Sequence, residues 1–137
     1  MISLTGDVER EKLIAQLRDA GVKHNPDDIL RIARLSDGKI VFLERGNSNS
    51  GWQHIIEKRR TNFADRGILE DQIIDAIMVA VTKGEIVGIQ GKSRNVYEVE
   101  FNDSLYYISI EVSSNGYIVG ANPTPTKLIG RFSDDRE

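Results

Sequence analysis

His54, Lys58 and Arg59 stand within six positions of one another, and all three side chains can meet a phosphate. An imidazole exchanges protons near neutral pH, so His54 can act as general base or acid. If Trp52 to Phe63 is a helix, roughly 100° per residue places Trp52, Ile55, Ile56 and Phe63 on one face, with Arg59 in its middle. A guanidinium inside an apolar stripe is costly unless it is paired or directed into a cleft. Otherwise it snorkels past the helix end. His54 and Lys58, four apart, share another face, where they either meet a ligand or are solvated. Arg60 completes the basic run.

A second basic group, Lys92 and Arg94, falls in the expected hairpin loop Gly91-Lys92-Ser93-Arg94. Such a loop can clamp a phosphate, or it can be an ordinary solvated turn. Alternation puts Tyr107, Ser109 and Glu111 on one face of a strand, with Glu98 on a neighbouring strand. A polar row of this kind lines a cleft if it faces inward and is plain surface if it faces outward; the sequence leaves both open.

Several chemistries are excluded. The 137 residues contain no cysteine and two histidines, so thiol catalysis, cysteine-bound zinc and histidine-rich metal sites are out. No phosphate-binding G-x-x-x-x-G-K-S/T loop, dinucleotide fingerprint, H-E-x-x-H or G-x-S-x-G occurs. No cofactor is expected. The net charge of −3 argues mildly against nucleic acid, but a local basic patch still binds phosphate on an acidic protein. No apolar run reaches the roughly 18 residues of a membrane helix, and MISLTGDVERE lacks the basic-then-apolar pattern of a signal peptide, so no membrane anchor is expected. A disulfide-free domain suits a reducing cytosol, and equally a domain that unfolds, crosses membranes and refolds.

The elements that must position these residues read as one α+β domain over 1–137: a compact core over about 7–123 and a loosely packed tail over 124–137. Asp7 to Ala20 reads as a helix with an apolar stripe of Val8, Leu13, Ile14 and Leu17, stopped at Gly21. After Asn25-Pro26, Ile29–Leu35 and Lys39–Glu44 form a hairpin with a two-residue Asp37-Gly38 turn. Gly46 to Gly51 is a polar loop. Helices follow over Trp52–Phe63 and Leu69–Lys83, the latter almost wholly apolar from Ile73 to Val81 and therefore central. Four strands, Glu85–Gln90, Asn95–Phe101, Leu105–Val112 and Tyr117–Gly120, are joined by short turns and predict an antiparallel meander. Pro123 and Pro125 break the pattern and open the tail. Nothing suggests an obligate dimer; a monomer is expected.

The run Asp37-Gly38-Lys39-Ile40-Val41-Phe42-Leu43-Glu44, then Gly46-Asn47-Ser48 and Gly51-x-Gln53-His54-Ile55, resembles the C-terminal toxin domains of bacterial contact-dependent growth inhibition proteins. So do Phe63-Ala64-x-x-Gly67-Ile68, Lys83-Gly84-x-Ile86-Val87-Gly88-x-Gln90-Gly91, Tyr97-Glu98-Val99 and Asn115 to Pro123. Many short matches in fixed order, from about Leu13 to Pro123, carry the resemblance. The layout of helices before a four-stranded sheet also looks like the Barnase/EndoU/Colicin/RelE ribonuclease fold.

That resemblance implies a metal-independent ribonuclease, often aimed at tRNA. It would be secreted as the C-terminal part of a large cell-surface protein, act in the target-cell cytoplasm and be neutralised by a cognate immunity protein. The family pattern reads H-I-x-x-[RK]-H across the second helix. His54 and Lys58 match it, Arg59 stands at the second histidine, and Glu111 stands where threonine is expected. Arginine does not exchange protons near pH 7, so acid–base work at position 59 is expected to be impaired. The expected catalytic set is His54, Arg59, Arg94, Tyr107 and Ser109, with Lys58, Arg60, Lys92 and Arg94 holding RNA. The alternative is a degenerate toxin domain that binds immunity protein or RNA without cleaving it.

Overall fold

A computed structural model describes residues 2–124, with side chains from residue 8 onward. The architecture is α+β: three helices, a two-stranded hairpin and a four-stranded antiparallel sheet. Helix α1 spans Ile2–Asp19, starting earlier than the stripe suggests. Its Leu13 and Leu17 are buried, but Val8 is 65% exposed and does not join the core. Gly21, at φ 73°, ends the helix as expected, and the Val22 amide donates back to the Leu17 carbonyl.

Asn25 caps a single 3-10 turn over Pro26–Asp28, and strands β1 (Ile29–Arg34) and β2 (Ile40–Glu44) follow. The hairpin is present, but its loop is Ser36-Asp37-Gly38 rather than Asp37-Gly38 alone. The Leu35 amide donates to the Lys39 carbonyl, and Gly38 at φ 93° closes the loop.

Helix α2 is Trp52–Asp65 and α3 is Glu70–Lys83. The sheet runs in sequence order through β3 (Glu85–Gln90), β4 (Arg94–Phe101), β5 (Ser104–Val112) and β6 (Ile118–Pro123). Between β4 and β5, Asn102 and Asp103 both take positive φ, as the two-residue turn of a tight hairpin requires. Strand β6 runs three residues beyond the sequence expectation. Pro123 is paired opposite Ile108, tolerable because β6 is an edge strand of this sheet. Thr124, assigned to the tail by sequence, is buried, and its amide donates to the Tyr107 carbonyl. The rest of the expected tail, 125–137, lies outside the described residues.

One face of the sheet, through Tyr97, Val99, Ile108 and Ile110, packs against Ile73, Ala76, Ile77 and Ala80 of α3. Ile55 and Phe63 of α2 enter the same core, and each such burial contributes about 1.5–3 kcal/mol. The opposite face carries the residues of even number on β4 and odd number on β5, the expected polar row. The hairpin docks on the end of the sheet, where Phe42 bridges Tyr117. No helix among the described residues is long and apolar enough to cross a membrane.

Candidate active site

Helix α2 lies along β6, and one of its stripes changes character along its length. Ile55, Arg59, Asn62 and Arg66 follow one another at helical spacing of four, three and four residues. Ile55 is fully buried. Arg59, Asn62 and Arg66 instead line a cleft of about 570 Å³ together with Asp65, Gln90, Gly91, Arg94, Asn122 and Pro123. The stripe leaves the core and enters the cleft between Ile55 and Arg59. Arg59, itself exposed, stands at the point in the stripe where the apolar residues give way to the cleft lining.

The polar loop before α2 holds His54. Asn47 Oδ1 accepts from the amides of Asn49 (2.8 Å) and Ser50 (3.3 Å), folding the loop on itself. Gly51 sits at φ 84°, and a Cβ there would meet the Tyr117 hydroxyl at 2.8 Å, so only glycine fits. The Ser48 carbonyl then lies 2.9 Å from His54 Nδ1. A carbonyl only accepts, so Nδ1 carries the hydrogen and Nε2 of the neutral ring keeps its lone pair.

His54 and Arg94 both approach Gly120. A Cβ placed on Gly120 would lie 3.1 Å from Arg94 Nη2 and 3.7 Å from His54 Cδ2. Arg94 is not a loop residue, as the sequence suggested; it opens β4 and lies on the polar face. Its Nη1 donates to Asn122 Oδ1 at 2.7 Å and its Nη2 to Glu111 Oε1 at 3.1 Å. Asn122 Nδ2 in turn donates to Gln90 Oε1 at 3.2 Å. The guanidinium is thereby fixed by two neighbours at the cleft floor.

The other expected site residues divide. Arg59 joins Arg94 in the cleft lining. Lys58 and Lys92 are exposed and outside that lining. Arg60 is paired with Glu70 at 3.2 Å, on the side of α2 facing α3, and does not belong with the cleft cations. Ser109 is fully buried, with its hydroxyl 2.8 Å from that of Thr124, so it anchors the end of β6 and does not present itself to a ligand. Tyr107 donates to Glu98 Oε2 at 2.7 Å. It lies four residues along β5 from Glu111, about 13 Å, and is not brought to His54 and Arg94.

Sequence reasoning missed Asn62, Asp65, Arg66, Gln90, Gly120 and Asn122. Asn62 and Arg66 carried a usable signal, three and seven residues beyond Arg59. Beside the site, the Glu57 carboxyl is held below its ordinary value, first by the hydrogen bond from Gln53, then by Ser48 and by the charges of Lys58 and His54. Among the described residues, no three His, Asp or Glu side chains gather as a metal-binding set. Neither known protein-family models nor curated protein sequences give a match to this chain.

Proposed function

We propose that this domain is a metal-independent ribonuclease that cleaves RNA, tRNA being the class the motif resemblance points to, and that it serves as the toxic end of an interbacterial delivery protein. The observation that carries the reading is that His54 and a fixed Arg94 both stand close to Gly120, with Arg94 lining a cleft that Arg59 and Arg66 also line. A lone-pair nitrogen beside a clamped guanidinium is what 2′-hydroxyl chemistry needs.

In this scheme His54 Nε2 removes the 2′-hydroxyl proton, and the 2′-oxygen attacks the adjacent phosphorus. Arg94 and Arg59 neutralise the charge on the crowded phosphate. The bond to the 5′-oxygen breaks, leaving a 2′,3′-cyclic phosphate and a 5′-hydroxyl. Arg59 stabilises the leaving oxygen by charge but gives it no proton, so that proton comes from water. Histidine at position 59 would supply it directly. A small acidic immunity protein covering the same cations is the matching partner.

Two observations favour the second reading, binding without cleavage. Position 59 holds arginine, and Glu111 already occupies one edge of Arg94. Product chemistry separates the readings. Total bacterial RNA incubated in EDTA should give fragments with 5′-hydroxyl ends that accept phosphate from a polynucleotide kinase without prior dephosphorylation. Retention of RNA with no such ends, from both this chain and Arg59→His, would favour binding alone.

A further inference from the structure

Beyond Arg94 and Arg59 the lining of the cleft has a different composition. Arg66, the residue that caps the C-terminus of α2, lies seven residues beyond Arg59, about 10 Å along the helix axis. Between them in sequence stand Asn62 and Asp65, which line the cleft together with Gln90 and Gly91 at the end of β3. Two residues there decide what this part of the cleft can bind.

The first is Asp65. It is exposed and, among the described residues, is the only carboxylate in the cleft lining. It is also the last residue of α2, whose final turn has no basic residue. A helix C-terminus disfavours an anion, so Asp65 opposes the stability of its own helix. The second is Gln90. Its Oε1 accepts from Asn122 Nδ2, and Asn122 Oδ1 accepts from Arg94. This chain of donors fixes which way the Gln90 amide faces: its oxygen is taken, and its NH₂ remains to donate.

The cleft therefore offers a donor from Gln90 and a pair of acceptor oxygens from Asp65. Guanine has the complementary edge: the O6 acceptor, then N1–H and N2–H as adjacent donors. Adenine and cytosine each present a single amino donor beside an acceptor nitrogen, and uracil an N–H between two acceptors. We infer that Asp65 and Gln90 form a guanine-reading subsite for single-stranded RNA, with Arg66 on a neighbouring phosphate. The inference rests on the ribonuclease reading for the polarity of the strand, but the recognition itself requires no cleavage. A base held by its Watson–Crick edge must be unpaired, which confines the substrate to loops, bulges and ends.

The test is calorimetric titration of the intact protein with the four ribonucleoside 3′-monophosphates at low salt. The guanosine nucleotide should bind roughly tenfold or more tightly than the others, the discrimination one two-point contact supplies. Asp65→Asn should reduce it to the level of the other three and leave their binding unchanged. Inosine 3′-monophosphate, which lacks the N2 amino group, should fall between guanosine and adenosine. Arg66→Ala should weaken a labelled oligonucleotide irrespective of sequence and lower its salt slope by about 0.7. Equal binding of all four nucleotides, no binding of any, or a guanine preference that survives Asp65→Asn would overturn the subsite. A guanine preference without RNA cleavage would keep the subsite and sink the ribonuclease reading.

Discussion

Replacing Gly120 should separate the chemistry of the site from the stability of the fold. Gly120 lies in β6 and is not among the glycines with positive φ, so its backbone accepts any L-residue. Alanine there restricts the unfolded chain and stabilises by about 0.4–1 kcal/mol on that count. Against it, the new Cβ stands 3.1 Å from Arg94 Nη2 and 3.7 Å from its Cζ, closer than the guanidinium can keep without shifting. The bond most exposed to that shift is the 3.1 Å contact with Glu111, whose side chain is 38% exposed. Solvent replaces much of what is lost there, so about 1 kcal/mol is a fair ceiling. The two effects nearly cancel. Gly120→Ala should unfold within about 4 °C of the parent in a circular-dichroism melt. RNA affinity should nevertheless fall roughly tenfold, because a displaced charge-assisted contact is worth about 1.5 kcal/mol or more. Gly120→Val adds two methyl groups in the same space, between Arg94 and His54, and should lose binding and cleavage by about a hundredfold. A folded Gly120→Val protein that binds and cleaves RNA like the parent would refute the placement of the site.

Other perturbations probe the supports. Arg94→Ala leaves Asn122, only 6% exposed, without a donor for Oδ1, and should destabilise by about 1–3 kcal/mol; a double-mutant cycle with Asn122→Ala should return much of that energy as coupling. Asp103→Gly relieves a positive φ of 63° in the β4–β5 turn and should raise the denaturation midpoint, while Asn102→Val, at φ 51°, should cost about 1–2 kcal/mol of stability and lower that midpoint. The depressed Glu57 carboxyl contributes stability that is present above its unfolded value of 4.5 and is lost as pH falls through the lower folded value. Gln53→Ala removes the largest cause and should move the Glu57 titration, followed by carboxyl NMR, upward toward 4.5. An unchanged midpoint would show that the hydrogen bond does not set it.

The elements were legible because their signals are local. Ile73 to Val81 announced a core helix, and alternation in β4 and β5 announced a meander whose two faces differ. Boundaries failed where tertiary contacts decide them. Pro123 reads as a breaker, yet a sheet edge accepts it, and Thr124 is held by Ser109 and the Tyr107 carbonyl. The site was half legible. His54, Arg59 and Arg94 stood out by residue type, and the misfit of Arg59 in its stripe falls where the stripe turns from core to cleft. Ser109 and Tyr107 looked equally good on their strand, but which polar residues remain open depends on what packs over and beside them. Gly120 and Gln90 gave no sign, because one acts by lacking a side chain and the other by the direction in which its amide is held.

The central claim is that His54 performs RNA cleavage at this site. The direct measurement is incubation of tRNA with the protein, with Arg59→His and with Arg59→His/His54→Ala, all in EDTA, resolved on a denaturing gel. Discrete fragments from Arg59→His, weaker with arginine at 59 and abolished by His54→Ala, are predicted. Intact tRNA in every lane, or fragments undiminished by His54→Ala, would contradict it.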